Sequence, residues 1–408
     1  TPYALRPTFP QNRADPWLSA NWTIYYEPSL ASQAGSFGRR RAHMTEMITI
    51  SGTLSKGRMA KSLGVAFDRD YYFDPDKRYA IDSLCNEYAA EQFPGMRLFY
   101  SESNLGQIDY WGNDQIQIGG IQPNMIFGML LGADLVPTDN GDADITPGCL
   151  AGKKPADLPA PESLLGHELI RLFDEQIRLV QSDSQRCLRP IPPFFWDRSG
   201  RAAIHGAMTS AQKFLGEAVF VDMMTEPRRC LEILRWIGDV YIVLCRHFSE
   251  MANLPITGVH VGECSSCMVS PELIEHFAVP VTSKIGEELS PVRLHSCGPS
   301  TNHLEAFSKI KNLRSLDVGG DTSISRTREI FGKEMLISVA PLPHDMSAAD
   351  TDPVLRWAER ILEENDGGNL EYTYHLEPGY NINTIYALTS LLKGLPDFEC
   401  PQSGSNAH

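Results

Sequence analysis

Two rhythms of apolar positions run along the chain. In the second half, short apolar runs at 257–263, 292–297, 313–319, 335–340 and 370–377 have the length and β-branched content of strands. Between them, apolar stripes at 271–289, 302–310, 325–331 and 352–364 recur at helical spacing, and 381–392 follows the last strand in the same way. Five strand-then-helix units in series predict a parallel sheet, because a parallel pair needs a crossover and a helix supplies it. The sheet is either closed into a (β/α)8 barrel or open and doubly wound. No glycine-rich phosphate loop follows any of these strands, which disfavours a dinucleotide-binding sheet.

The first half is less regular. Residues 1–36 carry Pro2, Pro7, Pro10, Pro16 and Pro28 among aromatics and read as an arm lying on another surface. The apolar positions Met44, Met47, Ile48, Ile50 and Leu54 predict a helix over 39–63, interrupted by Gly52 and Gly57. A second helix is expected over 76–92, with Tyr79, Ala80, Leu84, Tyr88 and Ala89 on one stripe and Phe93-Pro94-Gly95 ending it. The run 137–162 is too poor in apolar residues for a core and is expected as an exposed loop able to act as a lid. Beyond it, 192–197 reads as a strand, 202–215 as a helix, and 227–251 as a long helix with Leu231, Leu234, Ile237, Tyr241, Leu244 and Phe248 on one face.

Composition narrows the function classes. With 42% hydrophobic and 21% charged residues among 408, the chain can build a large core. Against 36 basic residues stand 51 acidic ones, a net charge of −15 that disfavours nucleic acid as a partner. Apolar stretches fall well short of the ~20 residues needed to span a bilayer. The nine cysteines are scattered rather than densely spaced, which is the usage of a cytoplasmic protein and not of a disulfide framework.

Metal-ligand and acid–base side chains collect where the predicted strands end, the place where such folds keep their working residues. His295 and Cys297 are two apart on a strand, so both side chains leave the same face, and imidazole plus thiolate is a zinc-type pair. Cys264 and Cys267 form a Cys-x-x-Cys, compatible with pocket lining, a single metal-ligating thiol or a redox pair. Glu263 faces away from Cys264 if the strand continues, so both become ligands only where the chain turns. Asp317 and Asp321 flank Gly319-Gly320, while His344, His375, Glu377 and Tyr380 lie at the last two strand ends. Glu263 and Asp317 are the candidate catalytic carboxylates. Trp196, Cys267, Asp321, His344 and Tyr380 are the candidate substrate contacts, with Trp196 at a pocket edge.

In order as well as type, these motifs resemble the uroporphyrinogen decarboxylase superfamily. The resemblance spans roughly 190–395 and rests on Glu226-Pro227, Ser270-Pro271-Glu272, His295-Ser296-Cys297-Gly298, Asp317 and Glu377-Pro378-Gly379. It implies a distorted (β/α)8 barrel over 96–400 with an insertion at 137–162, and an arm and helices over 1–95 packed on it. Within the superfamily, His295 and Cys297 resemble the zinc-dependent corrinoid methyltransferases. Gly38-Arg39-Arg40-Arg41 matches the decarboxylase motif poorly. The resemblance implies Zn2+ held by His295 and Cys297, completed, where that branch has a further cysteine, by His375 or Glu377 or by Cys264 or Glu263 from the neighbouring strand. It also implies a methyl group exchanged between a small donor or acceptor and a corrinoid such as methylcobalamin. The corrinoid would sit on a separate protein, because no Asp-x-His-x-x-Gly signature occurs in this chain. Alternatives are a metal-free decarboxylase or lyase, and a non-catalytic tetrapyrrole or small-ligand binder. The proline-rich arm is compatible with a homodimer.

Overall fold

A computed structural model describes residues 48–94, 96, 98–100, 115–138 and 141–395. The arm expected over 1–36 lies outside them. Eight strands form one sheet: β1 (Ile48–Leu54), β2 (Leu98–Tyr100), β3 (Arg201–His205), β4 (Gly258–Gly262), β5 (Val292–Ser296), β6 (Leu313–Gly319), β7 (Leu336–Ala340) and β8 (Leu370–Leu376). Their order is β2-β1-β8-β7-β6-β5-β4-β3, and every neighbouring pair is parallel. This is the cyclic order of a (β/α)8 barrel, distorted at a seam between β2 and β3, which share no ladder among the described residues.

Three local expectations are corrected. Ile48–Leu54 is strand β1 rather than helix, and the helix begins only at Lys56, where the Ser55 side chain accepts from the Arg58 N–H. The apolar positions 48, 50 and 54 fit either period over so short a run, and pairing with β8 decides for the strand. Residues 192–197 form a turn in which Phe194 takes φ 68°, a left-handed conformation that a strand cannot hold. The stretch expected as one helix over 202–215 is strand β3 followed by the helix Ala207–Leu215, with Gly206 between them.

The helix Pro75–Gln92 is present, started by the Asp74 carboxylate, which accepts from the N–H groups of Asp76 and Lys77. Its buried stripe, however, is Arg78, Asp82, Cys85 and Ala89, and Leu84 is exposed. Charged residues hold the inward face because Asp82 accepts from Arg78 Nε at 2.7 Å and from the Tyr71 hydroxyl at 2.8 Å. The long helix Pro227–Ala252 is found where expected.

The insertion is exposed as expected but strapped down. Leu150 N–H donates to the Phe214 carbonyl at 2.8 Å, Trp236 Nε1 to the Pro159 carbonyl at 2.7 Å, and Arg229 to the Lys153 carbonyl at 2.8 Å. Near its start, Asp142 pairs with buried Lys56 just beyond the end of β1. No helix among the described residues is long and apolar enough to cross a membrane.

Candidate metal centre

Burial alternates along the barrel strands. Val292, Leu294, Leu370, Tyr372, Tyr374 and Leu376 face the surrounding helices and are buried, while Arg293, His295, Glu371, Thr373 and His375 are half-buried. The half-buried set faces inward: Arg293 on β5 lies 3.1 Å from Asp317 Oδ2 on β6 and 3.7 Å from Glu371 Oε2 on β8, a contact that crosses the barrel. Barrels of this type usually fill their interior with branched apolar side chains. Here the interior is polar and reached by solvent. Glu371 also accepts from the hydroxyls of Ser51 and Ser338 at 3.0 and 2.7 Å.

At the end of β4 the chain turns. Glu263 leaves the strand conformation at φ −99°, ψ 53°, and Cys264–Met268 wind into a 3-10 turn. The turn carries Cys264 toward the end of β5. There the ligand atoms of Cys264, His295 and Cys297 lie within 4.8 Å of one another. A tetrahedral zinc ion with Zn–S and Zn–N bonds of ~2.3 and ~2.0 Å needs ligand atoms roughly 3.5–3.8 Å apart, so a small contraction closes the set. On the other side of the His295 ring, Asp317 Oδ2 lies 3.0 Å from Nδ1. A carboxylate behind a histidine is the arrangement that fixes a ligand ring and leaves its second nitrogen for a metal.

The three groups shift one another's proton affinities. The Cys264 thiol, with His295 adding to it, holds Cys297 down to about 4, while the same contact pushes Cys264 upward. Burial works against a charge on His295, but Asp317 and Cys297 outweigh it and raise the ring to about 10. Burial would likewise raise Asp317, yet Arg293 and His295 hold it well below the usual carboxylate range. Thiols and an imidazole held this close give up protons when a cation enters. Two sulfurs and one nitrogen with a supporting carboxylate fit zinc.

Other expected residues take different places. Glu263 points away from the trio and accepts from Met208 N–H, Thr209 N–H and the Thr209 hydroxyl at 3.2, 3.1 and 3.2 Å. It seals the first turn of Ala207–Leu215, where a Cβ on Gly206 would lie 1.9 Å from its carboxyl carbon. Burial lifts its carboxyl to about 7 in spite of those donors. In that position it anchors the turn. Cys267 is exposed at the rim, its thiol on the Cys264 carbonyl at 3.0 Å and packed so closely on Gly298 that a Cβ there would meet its sulfur at 2.9 Å.

His375 and Glu377 do not join the trio among the described residues. His375 Nδ1 meets the Thr53 hydroxyl, and its Nε2 lies 3.0 Å from Glu377. Glu377 is lowered by that imidazole. Asp321 is exposed on the loop after β6, and His344 faces solvent beside Asp345 at 3.1 Å. Tyr380 is half-buried in the turn after β8. Trp196 lies at the opposite end from the mouth: its N–H donates to the Arg201 carbonyl at the start of β3, and its ring stands 4.3 Å from that of His260. It is part of the barrel floor.

Sequence reading missed Arg293, Glu371 and His260. The signal was present in the strict polar alternation of Val-Arg-Leu-His-Ser over 292–296 and Leu-Glu-Tyr-Thr-Tyr-His-Leu over 370–376, which marks an interior that is not packed.

No family model and no curated protein matches the chain. Among solved structures, a methyltransferase from Methanosarcina mazei matches with a TM-score of 0.58 at 13% identity, covering 86% of this chain and 93% of that one. A B12-independent methionine synthase from Shewanella sp. W3-18-1, solved with selenomethionine, matches with a TM-score of 0.43 at 9% identity, covering 86% and 98%. The first likeness establishes a shared fold, in agreement with the distorted barrel implied by the resemblance to the uroporphyrinogen decarboxylase superfamily.

Proposed function

We propose that the chain is a zinc-dependent methyltransferase, moving a methyl group between a corrinoid on a separate protein and a small thiol. One observation carries this reading: Cys264, His295 and Cys297 converge at the barrel mouth with Asp317 behind the histidine. The shared fold with a protein described as a methyltransferase supports it. Three protein donors leave a tetrahedral ion one open position. When bound there, zinc supplies the Lewis acidity that makes a thiol ionise and become nucleophilic at neutral pH.

The chain's own residues do the rest. Asp317 fixes the His295 ring, Cys264 and Cys297 lose their protons as donors, and Glu263 anchors the turn that delivers Cys264. The open interior below them takes the body of the thiol, and the rim is where a methyl carried by a partner would approach. A metal-free decarboxylase of this fold gives the trio no task.

Metal content tests the reading. Protein purified without added metal should hold about one zinc per chain, and Cys297→Ala should lose it. An intact fold without metal in the parent would overturn the zinc mechanism and favour a decarboxylase-like or ligand-binding relative.

A further inference from the structure

The barrel interior beneath the trio has a charge balance that bears on what can enter it. Arg293 is the cation at its centre, and it is shared between two carboxylates, Asp317 at 3.1 Å and Glu371 at 3.7 Å. Glu371 also accepts from two hydroxyls, Ser51 and Ser338. The remaining cations near the chamber have other attachments. Arg201, at the floor, pairs with Asp197, and Lys56, at the rim, pairs with Asp142. Arg58 rests on the Glu377 carbonyl at 3.4 Å, beside a third carboxylate on Glu377 itself. Burial holds the interior imidazoles of His205 and His260 below the ordinary histidine range.

A zinc ion with two cysteine thiolates adds no net charge, so beneath it one guanidinium, Arg293, faces two carboxylates, Asp317 and Glu371, while at the rim Arg58 and His375 stand beside Glu377. A substrate thiolate makes the chamber more negative. An acidic tail would then enter a half-desolvated space already carrying excess negative charge, where opposing charges are weakly screened. An ammonium tail would relieve it. Arg293, Thr373 and His375 are half-buried on the inward face, and the rings of Trp196 and His260 stand 4.3 Å apart toward the other end of the strands.

Resting on the zinc reading above, we infer that this site takes a short thiol bearing an ammonium tail, that it discriminates against thiols with acidic tails, and that Glu371 is the residue that sets the preference. Glu371 is not a metal ligand and lies below the trio, so it acts on the tail and not on the sulfur.

The test uses the full chain loaded with cobalt(II) in place of zinc, whose thiolate absorption reports each added sulfur. Three probes of similar length are titrated: 2-aminoethanethiol, 2-mercaptoethanol and 3-mercaptopropionate, each dissociation constant corrected for the probe's own thiol ionisation. The expected order is ammonium tightest, hydroxyl between and carboxylate weakest, with at least about a tenfold spread between the ends. Glu371→Gln should shrink that spread while leaving cobalt affinity unchanged. The parent ranking by itself decides the tail preference, and an undiminished spread in folded Glu371→Gln overturns the assignment of that preference to Glu371. A loaded parent that binds the acid-tailed probe as tightly as the ammonium one overturns this inference and leaves the zinc reading standing. A parent that takes up no cobalt overturns both.

Discussion

Two walls of the barrel mouth present a histidine at the same place and reach different chemistry. On β5, His295 stands two residues before Cys297; on β8, His375 stands two residues before Glu377. Both rings face inward near a strand end, and both neighbours are metal-ligand types. The difference lies in the adjacent strand. Next to β5, the turn after β4 brings a thiol, Cys264, into the set. Next to β8, the partner in register with His375 is Thr53 of β1, and a neutral hydroxyl takes the place a thiolate would need. A His-x-ligand pair becomes a candidate metal centre when the neighbouring strand's end supplies the third donor.

The largest test of this contrast removes a donor. Cys264→Ser should cost more metal affinity than loss of any supporting residue, because it leaves two donors where three converged; a chelator competition titration measures it. Asp317→Asn should come next, weakening metal binding by ~10–100-fold while keeping the ligands in place, since it frees the His295 ring. Equal affinity in parent and variant would remove Asp317 from the site.

Glu263 offers a pH-dependent test in the metal-free protein. Its carboxyl is raised from 4.5 to about 7 by burial, so the folded chain holds a proton that the unfolded chain has released between those values. The stability this provides is fully present below the unfolded value and is lost as pH rises through the folded one. Glu263→Gln should flatten that loss, on the order of 3 kcal/mol across the window, seen by urea unfolding at about pH 4 and pH 8. A slope unchanged by the substitution would place the titrating group elsewhere. The smallest effect is expected on the other wall: His375→Asn should leave metal content as it is and shift stability by about 1 kcal/mol, the worth of one half-buried hydrogen bond. Metal loss in that variant would return His375 to the ligand set.

Much of the barrel's second half was legible because each helix and strand there declares itself locally. The long helix Pro227–Ala252 and strands β4–β8 fell within a few residues of the periodicity. The first half failed where local patterns were short or mixed: Ile48–Leu54 suits two periods, and in Pro75–Gln92 the inward face carries Arg78 and Asp82, which only their mutual pairing and Tyr71 make tolerable in a core. His295 and Cys297 were readable from one strand. Cys264 was readable as a ligand only on the condition that the chain turn after Glu263.

The sequence by itself determined the alternation of strands and helices, the parallel sheet, and which strand ends carry sulfur, imidazole and carboxylate. These depend on periodicity and on residue type, both local properties. Tertiary structure decided which of those ends meet: that the turn at Glu263 delivers Cys264 to His295 and Cys297, that Thr53 satisfies His375, and that Arg293 faces two carboxylates across an open interior. A coordination set and a charge balance are relations among side chains far apart in the chain, and they exist only once the sheet has curled and brought those strands to a common mouth.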